Sequence, residues 1–314
     1  MVTYKQILLD FVEFLYLVAH ILYCYCDYIL THYFLPKEPK SLKGAIVLVT
    51  GSGRGIGREI CLQLAECGAI VVGWSKSAEP NEALRKEILK RGGVIHCYTV
   101  DVSNRIQVEE TAALVKKQVG DVSIVINNAG LMRVQSFLDT SPEDIESLFQ
   151  VNVFSNFWVL RAFLPEMIQR GEGHLVTVCS ASALLPTRNL VPYSSTKHAV
   201  HGYIEALRDE LRHHPKKPNI KMTTTFPFYC NTTMLDGAIP NTRLSYLIPV
   251  VTPEDVAASL IKGIREETEY IYTPVLMGWL AMFSWLVPPK SIIAWSEYVK
   301  CHIDPAIANN QKDK

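Results

Sequence analysis

The sequence predicts an α/β fold, a doubly wound parallel sheet in one domain behind an N-terminal apolar helix. Three observations predict it. From Ala45 onward, short apolar runs alternate with helix-length amphipathic stretches; a glycine-rich string follows the first run and opens the first of those helices; and the greasiest part of the chain lies ahead of this alternation. Short buried strands separated by helices run parallel, with helices covering both faces of the sheet.

The first element is residues 1–35, where 26 residues are in the hydrophobic class, against 48% over all 314 residues. The mean hydropathy of +0.12 is therefore largely a property of one end. On a helical wheel Gln6, Asp10, Glu13, His20, Asp27 and Thr31 fall within one arc of about 100°, leaving a narrow polar stripe on an apolar rod. Such a rod suits a membrane or lipid-droplet surface, and suits a full span only if the stripe meets water or a partner. A secretory leader would want a positive start and small residues at a cleavage site, and neither is evident. Cys24 and Cys26 read as apolar packing or as acylation sites. Residues 36–44 follow as a stiff basic linker with Pro36, Pro39, Lys37, Lys40 and Lys43, which places the next domain on the cytosolic side. The expected location is a membrane or lipid surface.

Residues 45–273 form the expected dinucleotide-type domain. Strand-like runs fall at 45–50, 69–74, 94–100, 123–127, 174–180, 221–226 and 269–273, with helices near 55–67, 81–91, 106–118, 142–170, 193–213 and 253–266. Ser141-Pro142-Glu143-Asp144 and Thr252-Pro253-Glu254-Asp255 each set a hydroxyl cap, a proline and carboxylates at a helix start. Residues 274–314 form an apolar C-terminal segment and tail. Its core, residues 275–287, is uncharged but too short to span a bilayer, and reads as a substrate lid, a second membrane contact or plain core.

Charge and cysteine content exclude several functions. With 31 basic against 31 acidic residues there is no electrostatic footprint for nucleic acid. Eight cysteines without a CxxC pair build no disulfide scaffold. His198 and His201 lack the carboxylate and cysteine company of a metal site, so no metal is expected. Cys179 reads as a buried strand residue.

Thr50-Gly51-Ser52-Gly53-Arg54-Gly55-Ile56-Gly57 sits between strand and helix. Glycines allow close backbone approach to a pyrophosphate, and the helix start meets its charge. The second strand ends at Ser75-Lys76, with no carboxylate to hold a ribose 2′-hydroxyl, so Arg54, Ser75 and Lys76 favour the 2′-phosphate of NADP(H) over NAD(H). Tyr193 and Lys197 share a helix face, and an adjacent cation stabilises a phenolate. Tyr33 and Lys37 have the same spacing, so the pair alone carries little.

The ordered set carries more. The 50–57 loop, Asp101-Val102 after the third strand, Asn127-Asn128-Ala129-Gly130 after the fourth, Asn152, Ser180, Tyr193 and Lys197 together resemble the short-chain dehydrogenase/reductase superfamily. The leader, Gly120-Asp121-Val122-Ser123 and Phe157-Trp158 are similar to its membrane and lipid-droplet branch of 17-beta-hydroxysteroid and retinol dehydrogenases. The resemblance implies alcohol–carbonyl interconversion on an apolar, lipid-like substrate, and narrows the expected location to the endoplasmic reticulum membrane or a lipid droplet. It implies Ser180 and Tyr193 on the substrate oxygen, Lys197 on the nicotinamide ribose, and Asn152 holding a water. It also implies coenzyme contacts from Asp101, Val102, Asn128, Ala129, Gly130, Pro227 and Thr232. Phe228 departs from the family, standing where glycine normally lets the backbone approach nicotinamide. A lipid-surface scaffold with a weakened site is the alternative, and a homodimer is left open.

Overall fold

The computed structural model describes residues 4–30, 38–185, 187–232, 234, 243, 249–284 and 286–299. Tyr33, Pro36 and Lys37 lie outside them. Two compact units divide at residue 40.

The first unit is helix α1 (Tyr4–Ile29). Its Tyr4–Asp27 stretch of 24 residues is long and apolar enough to cross a membrane. The polar stripe is partly self-satisfied: Gln6 Nε2 donates to Asp10 Oδ1 at 2.8 Å, and His20 stacks on Tyr16 and Tyr23. That lowers the cost of placing the stripe in an apolar medium.

In the second unit seven parallel strands, β1 (Ile46–Thr50), β2 (Ile70–Ser75), β3 (Val94–Thr99), β4 (Ile124–Asn127), β5 (Glu172–Val178), β6 (Asn219–Pro227) and β7 (Tyr270–Thr273), lie in the order β3-β2-β1-β4-β5-β6-β7. Alternate residues feed opposite faces, which is why the strands read as unbroken apolar runs. From β1, Val47 and Val49 join Ile60, Leu64, Leu84 and Leu260 beneath α2 (Gly55–Glu66), α3 (Ala78–Lys90) and α8 (Pro253–Glu266). Leu48 points the other way, into Val125, Phe163, Met167 and Val200 beneath α4 (Arg105–Gln118), α6 (Ser155–Arg170) and α7 (Val191–Arg212).

Both capped helix starts form as the sequence indicates. Ser141 accepts from Asp144 N–H at 3.1 Å at the start of α5 (Pro142–Phe149), and Thr252 and Asp255 close a reciprocal capping box on α8. The expected single helix over 142–170 is instead interrupted by a π-helical turn at Gln150–Phe154 between α5 and α6. Two further helices, α9 (Leu276–Ser284) and α10 (Pro289–Val299), end the described chain.

The sheet order reverses between β1 and β4, so the connections leave in opposite directions and a crevice opens at the carboxyl ends of these strands. One buried amide holds its rim. Ser52 Oγ donates to Asn81 Oδ1 at 2.8 Å, while Asn81 Nδ2 donates to the carbonyls of Gly73 and Tyr98 at 3.3 and 3.1 Å, joining the glycine loop to β2 and β3. Asn81→Ala leaves these buried groups unpaired and is expected to destabilise the domain by about 2–4 kcal/mol, read as a lowered denaturation midpoint with an unchanged m value.

Candidate active site

The coenzyme and catalytic residues expected from the sequence, except Ser52 and Asn152, line one cleft of about 370 Å³. Its two ends differ in chemistry.

At one end the glycine loop turns from β1 into α2. Gly57 is required by contact: a Cβ there would collide with the Gly51 carbonyl oxygen and the Asn128 amide. Asn128 Nδ2 donates to the carbonyls of Thr50 and Gly51 at 2.9 and 3.3 Å, so the side chain predicted to touch coenzyme braces the loop. The start of α2 at Arg54 has no side-chain cap, leaving its first amides for a ligand at the positive end of the helix dipole. Ser52 is buried behind the loop, its N–H on Trp74 O at 3.0 Å and its hydroxyl on Asn81. Together these make a cradle that fits a dinucleotide pyrophosphate.

Beyond the end of β2, Lys76 Nζ pairs with Asp101 Oδ2 at 2.6 Å. Partial burial works against the Asp101 charge, yet hydrogen bonds from Lys76 and from the Ser103 hydroxyl and N–H hold its carboxyl below the usual range. The Lys76 side chain is 77% exposed, so the pair stabilises the fold weakly and yields to a stronger anion.

At the other end Tyr193 and Lys197 lie buried on α7. Lys197 Nζ donates to Val178 O at 3.1 Å and lies 5.7 Å from the Tyr193 ring centroid. Ser180 follows β5 at the head of a tight turn, Ala181–Ala183. Its Oγ accepts from Ser182 N–H at 3.2 Å and Ser182 Oγ–H at 3.0 Å, which leaves the Ser180 proton available to another acceptor.

Asn152 stands behind this wall in the π turn. Its Oδ1 accepts from Leu131 N–H at 2.7 Å, and its Nδ2 donates to Leu131 O at 2.9 Å and Thr196 Oγ1 at 3.0 Å. It thereby pins the segment after β4 to α7. Cys179 is buried with Sγ 3.4 Å from Lys197 O, and burial pushes its thiol to about 11, so it stays protonated and is no nucleophile. His198 is exposed, with Nδ1 on Ser194 O, and His201 meets Phe226 edge-on; neither lines the cleft.

Sequence reasoning missed Asn81, Ser182 and most of an apolar wall beside Tyr193, in which Leu131, Met132, Leu190 and Tyr229 join the Phe228 already singled out. Asn81 had a signal: with Leu84 and Ile88 it occupies the buried stripe of α3, where an amide is out of place. The wall had none, because it gathers from separate loops.

Against known proteins, the short chain dehydrogenase family model matches residues 45–242. The chain is 35% identical to 17-beta-hydroxysteroid dehydrogenase 13 of Rattus norvegicus over 302 residues, 96% of this chain and 98% of that protein. It is 36% identical to epidermal retinol dehydrogenase 2 of Homo sapiens over 266 residues, 84% of this chain and 85% of that one. In fold it matches a short chain dehydrogenase/reductase from Burkholderia phymatum in complex with NAD, with a TM-score of 0.71, 23% identity, and coverage of 80% of this chain and 98% of that one.

The Lys76–Asp101 pair has a direct test. In an NMR titration of carboxyl carbons, Asp101 is expected to titrate below the usual aspartate midpoint and to move upward in Lys76→Ala. With a depressed pKa, its contribution to stability is present above the unfolded-state pKa and lost as pH falls through the folded one.

Proposed function

Because the chain belongs to the short-chain dehydrogenase/reductase family and is an oxidoreductase of CH–OH groups, we propose that it interconverts an apolar alcohol and its aldehyde or ketone, of the retinoid, steroid or fatty alcohol class, using NADP(H). We place it on the endoplasmic reticulum membrane or a lipid droplet, held by residues 1–35 with the domain facing the cytosol. The observation that carries the reading is one cleft in which Ser180, Tyr193 and Lys197 stand between an uncapped helix start and an apolar wall. The relatives' names, a hydroxysteroid and a retinol dehydrogenase, support the substrate class.

When bound, the coenzyme supplies or accepts the hydride. The amides of Gly53 to Gly57 would hold its pyrophosphate, Asp101 and Val102 its adenine, and Ala129, Gly130, Pro227 and Thr232 its nicotinamide. Arg54, Ser75 and Lys76 would take the 2′-phosphate, for which the exposed Lys76 would exchange its partly buried Asp101 partner. A phosphate carrying nearly two charges and three acceptor oxygens outcompetes one carboxylate.

Ser180 donates its O–H to the substrate oxygen, and Tyr193 gives that oxygen a proton in reduction or removes it in oxidation. The Lys197 ammonium offsets the charge that develops on the phenol oxygen and also reaches the coenzyme ribose. Asn152 acts through others, keeping Leu131 and Thr196, and with them the cleft wall and α7, in register.

A coenzyme-linked screen of retinoid, steroid and long-chain alcohols and carbonyls, run with NADPH and NADH in parallel, tests the reading. Tyr193→Phe is expected to lower turnover by about 10²–10⁴-fold with coenzyme binding retained. Inert wild-type protein on every panel, or a Tyr193→Phe variant with full cellular effect, favours the scaffold. Lys76→Glu is expected to weaken NADPH relative to NADH by about tenfold or more, equivalent to about 1.4 kcal/mol; an unchanged ratio overturns the assignment of the 2′-phosphate to Lys76.

A further inference from the structure

We propose that α9 lies with its outer face in a lipid surface, so that the apolar end of the cleft opens toward lipid; this rests on the membrane reading above. The segment Leu276–Ser284 has no charged residue, and a helix apolar on all sides is stable only when every side meets an apolar medium. One side already does. Met277, Gly278 and Ala281 are buried, and Gly278 seats the helix so closely on β7 that a Cβ would stand 2.5 Å from the Tyr272 ring. Met277 packs with Ala181 and Phe228, two residues of the cleft wall.

The other side is largely uncovered among the described residues. Val275, Trp279, Met282, Phe283 and Leu286, spaced as one helical stripe, are 69, 65, 60, 61 and 82% exposed. A protein interface surrounds its apolar centre with polar rim groups and hydrogen bonds. This stripe offers one polar group, the Trp279 indole N–H, and the helix that follows, which carries Lys290 and Glu297, exposes Ile293, Trp295 and Tyr298. Aromatic rings with a lysine beside a continuous apolar stripe match the headgroup boundary of a bilayer rather than a second copy of the chain.

The tryptophans make the contact measurable. The chain has five, Trp74, Trp158, Trp279, Trp285 and Trp295, and none lies in residues 1–35, so their emission is blind to α1. Trp74 is buried and Trp158 packs partly buried against the core. The full-length protein is reconstituted into phosphatidylcholine vesicles with plain or brominated acyl chains, and flotation is measured alongside fluorescence. Emission is expected to fall in brominated vesicles, with a smaller quenched fraction in Trp279→Phe. A Phe283→Glu, Leu286→Glu double variant, altered only at exposed positions, is expected to lose quenching yet still float. Flotation without quenching, or quenching unchanged in both variants, overturns the α9 contact and leaves the anchor standing. Loss of self-association in the double variant at unchanged quenching assigns the stripe to a second copy and also overturns it. Failure of the wild type to float removes the membrane reading and this contact together.

Discussion

The carboxyl ends of β1 and β4 are tied to each other by Thr50 and Asn128, and the rest of the cleft depends on that tie. Thr50 Oγ1 accepts from the N–H groups of Asn128 and Ala129, both at 3.0 Å, while the Asn128 amide returns a bond to the Thr50 carbonyl. Neighbouring strands in a parallel sheet are already hydrogen-bonded, but their ends fray unless side chains finish the ladder. Here the finish falls at the place where the sheet order reverses. The glycine loop cannot drift from the segment after β4, and α2 starts with its amides facing the crevice. The same segment leads through Gly130, whose Cα lies close enough that an added Cβ would stand 3.5 Å from Asn152 Oδ1 and 4.0 Å from Lys197 Nζ. The glycine loop and the Tyr193–Lys197 pair are thus set by one stretch of backbone.

The π turn at Gln150–Phe154 follows from the same need. Widening the helix by one residue breaks the ordinary ladder and puts the Asn152 side chain where it can meet both backbone groups of Leu131. Asn156 Nδ2 then satisfies the Asn152 carbonyl at 2.6 Å, and Ser155 Oγ the Val151 carbonyl. Two polar residues in the next turn therefore repair what the π turn opens. A regular helix would keep its own hydrogen bonds and lose the clamp.

Strands and capped helices were legible because local physics decides them. Burial on both faces writes unbroken apolar runs, and Ser141 and Thr252 bond the nearest free amides. The glycine loop and the Tyr193–Lys197 face were legible because contact and spacing dictate residue type. The π turn was not, since residues 142–170 keep a helical apolar period and the clamp on Leu131 is made across 21 positions. Ser52 was read toward the ligand and sits behind the loop, because its partner, Asn81, is 29 residues away. Side-chain direction in a tight loop depends on distant neighbours that periodicity does not encode.

Phe228 shows how a departure in sequence resolves in structure. Glycine at such a position matters if the backbone needs a left-handed conformation or if a ligand approaches too closely for a side chain. Among the described residues only Asn189, Lys217 and Glu267 adopt positive φ without being glycine, so position 228 carries no backbone strain. Its N–H bonds Thr273 O at 2.9 Å, which keeps the loop after β6 tied to β7. The difference is therefore confined to the side chain. The ring packs edge-on against Tyr229 at 4.4 Å and touches both the apolar cluster around Tyr193 and the one that seats Met277 of α9. A glycine would leave those clusters separated by a gap, at a cost that grows with the cavity left behind. Phe228 instead joins the apolar wall beside Tyr193 to the helix that carries the exposed stripe, so one aromatic ring is shared by the two clusters.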